Sequence, residues 1–299
     1  MAANRSSTAP GFTVVTLPDT QYYTAAHPDI LDAQAEWIRR EHAGRQIALV
    51  VHEGDIVDRD EPDQWARAAS SLRLLDGVVP TVLATGNHDY AVRGRRVTRD
   101  TLLDRYFPPR SSGLYQPGRN ENRFEIVDAP GGPWLILSLE FGPRDGVLAW
   151  ADRIARRYAA LPAIVVTHAY LTSDDDRFDH LGQPQQLWNP HRYLDDRAAG
   201  SVNDGQEIWD KLVSRDDNIL FVLCGHDLGD GVGRLTSVRA DGTTVHQILA
   251  NYQMQAQGGG GYLRLMQFSP AERRVHVRTY SPYFDAFKTD PDNDFTLAY

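Results

Sequence analysis

The chain alternates short apolar runs with amphipathic stretches, and five of the runs stop at a polar block. Phe12–Leu17 is followed by Asp19-Thr20-Gln21, and residues 47–51 lead into Gly54-Asp55-Ile56-Val57-Asp58. Residues 78–84 end at Gly86-Asn87-His88-Asp89, residues 163–167 at His168, and residues 218–224 at Gly225-His226-Asp227. Runs of this length read as buried strands, and residues 29–42 and 62–75 between them read as helices. Pro62 stands in a first helical turn, where a missing N–H costs nothing. Strands alternating with helices call for parallel pairing through crossover connections. In open α/β sheets, ligands collect at the carboxyl ends of the strands. Every polar block lies at such an end.

The remainder extends the pattern. A short helix is expected at residues 98–106, strands at Arg123–Val127 and at 134–139, and a helix at 146–160. Residues 170–203 read as a long loop, a length that is usually functional inside a compact domain. A helix at 204–214 precedes the strand at 218–224, and the end is mostly β: 233–238, Thr244–Ala250, 262–268 and 274–280. The expected architecture is α/β: two packed mixed β-sheets flanked by helices in four layers, α/β/β/α. Residues 1–11 are expected to be a flexible N-terminus, and 12–299 a single catalytic domain with a loop insertion at 170–203. Gly258 to Gly261 reads as a flexible connection between two strands.

The bulk numbers narrow the function. A net charge of −9 over 299 residues argues against broad nucleic-acid binding or attachment to anionic membranes. One cysteine, Cys224, excludes an intrachain disulfide. No apolar stretch reaches the length of a membrane span, and residues 1–11 lack the apolar core of a signal peptide. A soluble protein is expected, cytoplasmic if Met1 is the native start and secreted if a leader has been removed. Oligomeric state is not encoded in any pattern read here.

The strand ends supply Asp19, Gln21, Asp55, Asn87, His168 and His226, with His88 beside them. Hydrolysis at phosphorus asks for such a mixture. Two divalent ions about 3.5–4 Å apart can hold a phosphoryl oxygen and a hydroxide together. Asp55 is the natural bridging carboxylate. A neutral Asn ligand adds coordination without adding negative charge. Asp19 and Gln21, two apart in an extended segment, would point to the same side.

The order D-x-Q, G-D-x-x-D, G-N-H-D, a lone His after an apolar strand, then G-H resembles the calcineurin-like metallophosphoesterase superfamily. The resemblance runs from Asp19 to about His226. It implies that Asp19 and Gln21 hold a first metal, that Asp55 bridges, and that Asn87, His168 and His226 hold a second. It implies that His88 assists the leaving group while hydroxide on the metal attacks phosphorus, and that Asp89 aims His88. The implied cofactor is a pair of divalent ions, manganese foremost, with magnesium, calcium, iron or zinc as alternatives. The implied partner is a small phosphorylated substrate, a phosphodiester or small organic phosphate. Gln21 stands where the family usually has His, and Leu228 where the final His of G-H-x-H would be. Both departures concern the first metal, for which Asp227, Asp230 or His246 could substitute.

Other residues carry weaker signals. Tyr22, Tyr90 and Tyr170 follow ligand blocks and are expected to wall the substrate site or pack its loops. His191 is a minority substrate contact. Arg93, Arg95, Arg96 and Arg99 form either a solvated basic loop or a clamp for a second phosphate. Two other functions fit the same motifs: a metal-poor or inactive binding scaffold, and a protein or lipid-headgroup phosphatase.

Overall fold

A computed structural model describes residues 11–93, 96–109, 113–195 and 197–299. The expected flexible N-terminus, apart from Gly11, and Arg95 lie outside the described residues. The chain opens with β1 (Phe12–Leu17), α1 (Gln21–Ala26), α2 (Pro28–Glu41), β2 (Ile47–His52), α3 (Pro62–Leu72) and β3 (Thr81–Leu83). A hairpin of β4 (Val92–Arg93) and β5 (Arg96–Val97) follows, then α4 (Leu103–Tyr106), β6 (Arg123–Val127), β7 (Trp134–Ser138), α5 (Asp145–Arg157) and β8 (Ala163–Val166). Beyond the long loop come α6 (Gly205–Ile208), which widens over Trp209–Val213, β9 (Ile219–Cys224), β10 (Val232–Val238) and β11 (Thr244–Ala250). The chain finishes with β12 (Leu263–Ser269), β13 (Arg274–Ser281), β14 (Ala286–Lys288) and β15 (Asp294–Ala298).

These strands form a seven-stranded sheet, β14-β13-β12-β1-β2-β3 with β15 also on β13, and a six-stranded sheet, β10-β11-β9-β8-β7-β6. The central pairs β1–β2, β2–β3, β7–β8, β8–β9 and β9–β11 are parallel, so within each sheet their carboxyl ends lie along one edge. Strand alternation builds the layers. Val14, Leu49 and Val51 of the first sheet meet Ile136, Ile164, Val166 and Leu223 of the second in one core. The opposite faces bury Val15, Leu17 and Val50 against Ile30, Leu31 and Trp65 of the helices, and Leu137, Val165 and Val222 against Val147, Ile154 and Leu212. Each such side chain contributes about 1.5–3 kcal/mol by leaving water. The four-layer α/β/β/α expectation holds.

Several local expectations change. The strand at 78–84 contracts to Thr81–Leu83; Pro80 has no N–H to donate, although its carbonyl accepts from Val50 N–H (2.9 Å). The helix at 98–106 contracts to Leu103–Tyr106, because residues 96–97 pair with 92–93. The loop at 170–203 is anchored: Phe178, Leu194 and Val202 bury against Tyr90 and Phe141. Gly258 to Gly261 is not slack. All four glycines adopt left-handed φ, and a Cβ on Gly258 or Gly259 would strike Tyr22 or the Tyr23 hydroxyl. Among the described residues, no helix is long and apolar enough to cross a membrane.

Candidate metal centre

The strand ends of both sheets meet at one buried cluster. Asp55 follows β2 in a left-handed turn (φ 51°), and its Oδ2 lies 3.2 Å from His168 Nε2, just past β8. Asp19 Oδ2 lies 4.0 Å from the same nitrogen. The turn after β9 places His226, also at positive φ, with its N–H 3.3 Å from both Asp19 carboxylate oxygens. Non-glycine residues in this region are strained and concentrate at functional sites. Ligating atoms of Asp55, His168 and His226 all fall within 4.8 Å of one another. Gly54 and Gly86 make the approach feasible. A Cβ on Gly54 would lie 2.6 Å from Gly86 N, and one on Gly86 would collide with the Asp55 carboxylate.

Backbone carbonyls set the histidine tautomers. A carbonyl only accepts, so His168 Nδ1–H donates to Glu53 O (2.8 Å), which leaves Nε2, facing Asp55, as the nitrogen that could bind a metal. His226 Nε2–H donates to Trp188 O (2.7 Å), which leaves Nδ1 free. Such outer partners orient metal-binding imidazoles. His88 Nδ1–H donates to Asp58 O (2.7 Å), while its backbone N–H donates to Asp55 Oδ1 (2.9 Å).

The donors fit divalent cations. Gln21 Oε1, Asn87 Oδ1 and His168 Nε2 are buried and have no hydrogen-bond partner. Leaving such an atom unsatisfied costs about 1–3 kcal/mol, so three of them, two on the turns that carry Asp19 and His88 and one facing Asp55, call for a common explanation. The electrostatics agree. Burial, reinforced by Asp55 and opposed by His168, pushes Asp19 up to about 7. Burial pulls His168 down, but Asp55 and Asp19 outweigh it and raise it to about 9. Asp55 is also penalised by burial, yet His168 and His88 hold it below the usual carboxylate range. A cluster of buried acids that draws protons to itself is one that positive charge would stabilise.

Two expectations near the site are corrected. Asp19 and Gln21 do not share an extended segment: Gln21 begins α1, because Tyr23 and Thr24 N–H close onto Thr20 O. Thr20 is locked in turn, donating to Ile56 O (3.2 Å) and meeting His52 Nε2 (2.9 Å). Burial lowers His52 to about 3, so it stays neutral there. Asp89 does not aim His88. Its carboxylate accepts from Val57 N–H (3.0 Å) and Gly86 N–H (2.8 Å), tying the Asp55 and Asn87 turns together, and the aiming falls to Asp58.

The expected substrate contacts separate. Tyr90 and His88 line a cavity of about 510 Å³ with Asp58, Arg59, Val97 and Tyr193. Tyr90 presents no free hydroxyl there, since its OH pairs with Thr85 Oγ1 (2.7 Å). Tyr22 lies against Gly258. Tyr170 turns away from the site into the outer core of the second sheet and donates to Gln247 Oε1 (3.1 Å). His191 stacks on His180 (3.7 Å between centroids) and meets Glu207 Oε2 (2.8 Å), pinning the long loop to the start of α6. Of the arginines, Arg93 pairs with Asp100 and Arg99 with Glu140, and Arg99 also donates to the Phe141 and Gly142 carbonyls. Sequence reasoning missed Glu53, Asp58 and Trp188 as orienters, because their carbonyls do that work and every residue has one. Tyr193 gave no signal beyond its place in the loop.

The model of the calcineurin-like phosphoesterase family matches residues 12–230. A Bacillus subtilis relative, the uncharacterized protein YvnB, is 32% identical over 287 residues; the match covers 91% of this chain and 20% of that protein's length. The chain therefore spans about a fifth of that relative. Among solved structures, a dimetal phosphatase from Danio rerio superposes with a TM-score of 0.55 at 15% identity, covering 97% of this chain and 99% of the other. A purple acid phosphatase from yellow lupin superposes with a TM-score of 0.52 at 14% identity, covering 97% and 54%. These two likenesses concern the fold, while the family match spans every strand end that contributes to the cluster. The chain belongs to the calcineurin-like phosphoesterases.

Proposed function

We propose that this protein hydrolyses a phosphodiester or small organic phosphate with two divalent metal ions, Asp55 lying between them. The observation that carries the reading is the set of partnerless buried donors, Gln21 Oε1, Asn87 Oδ1 and His168 Nε2, around two carboxylates. Asn87, His168, His226 and Asp55 would hold one ion; Asp19, Gln21 and Asp55 would hold the other. When bound, the pair supplies Lewis-acid charge for the phosphoryl oxygens and makes an attacking water acidic at neutral pH. Manganese suits both the imidazole and the oxygen donors.

The chain's own residues do the rest. Asp58 O fixes His88 Nδ1, so Nε2 is the nitrogen free to protonate a departing oxygen. Asp58, whose carbonyl accepts from Nδ1–H, favours the His88 cation, which suits a proton donor. Asp89 keeps the Asp55 and Asn87 turns in register. The cavity beside His88 receives the leaving group among Tyr193, Val97 and Arg59.

A scaffold that bound no metal would gain nothing from burying three unpaired donors. The test is hydrolysis of a chromogenic phosphodiester and monoester by chelator-treated protein. Restoration of turnover by manganese is expected. No turnover with manganese, magnesium, zinc or iron on either substrate would defeat the proposal.

A further inference from the structure

We propose that Gln253 is a ligand of the first metal ion and takes the place of the histidine that Leu228 replaces. The inference rests on the two-ion reading above. Without a further donor, that ion has only Asp19, Gln21 and the shared Asp55 from this chain. The three substitutes that the sequence offers are all engaged elsewhere. Asp227 Oδ2 accepts from Ser173 N–H (2.8 Å), and Asp230 is exposed and accepts from Val232 N–H (3.1 Å). His246 lies within β11, held by Thr236 Oγ1 (3.0 Å) and Ala298 O (2.8 Å).

Gln253 differs on each count. Its side chain is buried, with 7% exposure, and its amide oxygen has no hydrogen-bond partner, the same condition as Gln21 and Asn87. It follows β11, whose end adjoins the cluster: a Cβ on Gly225 would lie 3.5 Å from Ala250 O and would strike the Asp19 carboxylate. One side chain couples its backbone to a metal-binding residue. Asn251 Nδ2 donates to His226 O (3.1 Å), and Asn251 Oδ1 accepts from Gln253 N–H (3.0 Å). The turn that sets His226 therefore also sets Gln253.

Glu53 is the nearest rival, buried with a partnerless Oε2. Glu53→Gln therefore stands beside the Gln253 variants in the test. Two neutral amide oxygens, from Gln21 and Gln253, would make the first site oxygen-rich. Such a site favours manganese, magnesium or calcium over zinc.

The test is titration of metal-stripped protein with manganese, with free ion read by electron paramagnetic resonance. Wild type should take up two ions. Gln253→Leu should keep one at wild-type affinity and weaken the other at least about tenfold, while Gln253→Glu restores two. An unchanged melting temperature of metal-free Gln253→Leu verifies its fold. If that variant does not fold, Gln253→Glu alone decides, since an added carboxylate must tighten one ion and leave the other unchanged. Two ions bound at wild-type affinity by Gln253→Leu, or loss of the first ion in Glu53→Gln instead, would overturn the assignment. Fewer than two ions in wild type would defeat the two-ion reading itself, a result distinguishable because it needs no variant.

Discussion

The two sides of the site are built differently. On one side, His168 and His226 project from strand ends, and each ring is aimed by a backbone carbonyl, Glu53 O or Trp188 O. On the other, Gln21 starts a helix and the proposed ligand Gln253 follows a strand, and each offers a buried amide oxygen without a hydrogen-bond partner. An imidazole must present the right nitrogen and shed its proton to bind metal. An amide oxygen needs neither. The imidazole side should hold its ion tightly, and the amide side should be the weaker and harder of the two.

The largest expected effect comes from breaking the imidazole side. His168→Ala should lower kcat/KM by about 10²–10³-fold or more even at saturating manganese. Gln21→Ala should cost about tenfold and recover as manganese is raised. Equal, unrecoverable losses in the two variants would erase the contrast. His88→Ala sharpens it by separating proton transfer from metal binding. It should lower kcat by about 10²–10⁴-fold on alkyl esters and much less on nitrophenyl esters, whose leaving groups need no proton. Manganese stoichiometry in that variant should stay at the wild-type value.

A smaller effect should follow from loosening the loop that carries Trp188. Its neighbour Asn189 donates to Asp204 (3.0 Å), and His191 meets Glu207 (2.8 Å). His191→Ala should weaken the imidazole-side ion about tenfold through His226, measured by the same titration. This pin also predicts a pH dependence. Burial penalises the Glu207 carboxylate, but His191, the Asp204 N–H and Lys211 outweigh it and hold it at about 2. A depressed acid contributes its stability above the ordinary Glu range and loses it as pH falls toward the folded value. Hydrogen-exchange protection across residues 186–194, measured against intrinsic rates at each pH, should therefore be unchanged from pH 7 to 5 and fall from pH 4 to 2. A fall beginning above pH 5 would contradict it. The smallest effect is that of Tyr90→Phe, which removes the bond to Thr85. It should cost about 0.5–1.5 kcal/mol of stability and leave kcat nearly unchanged, because the hydroxyl does not face substrate.

This asymmetry also explains what was legible in the sequence. Asn87, His168 and His226 each stand at the end of an apolar run, so one local pattern points to both the strand and the candidate ligand. The four layers followed from the same alternation. Gln21 begins a helix instead of extending a strand, since Gln-Tyr-Tyr carries no strong helix signal and the turn is imposed by Thr20, His52 and Ile56. Gln253, proposed above, lies far from any motif, and its burial without a partner and its link through Asn251 to His226 are what point to it. Tyr170 and His191 misled for the opposite reason. Their nearness in sequence to His168 suggested a role at the site, while packing turned one into the outer core and the other onto α6.

The most direct test of the two-ion account is anomalous diffraction from crystals soaked in manganese. The account predicts two peaks about 3.5–4 Å apart on either side of Asp55, one contacted by Asn87, His168 and His226 and the other by Asp19 and Gln21. A single peak, or none beside Asp55, would contradict it.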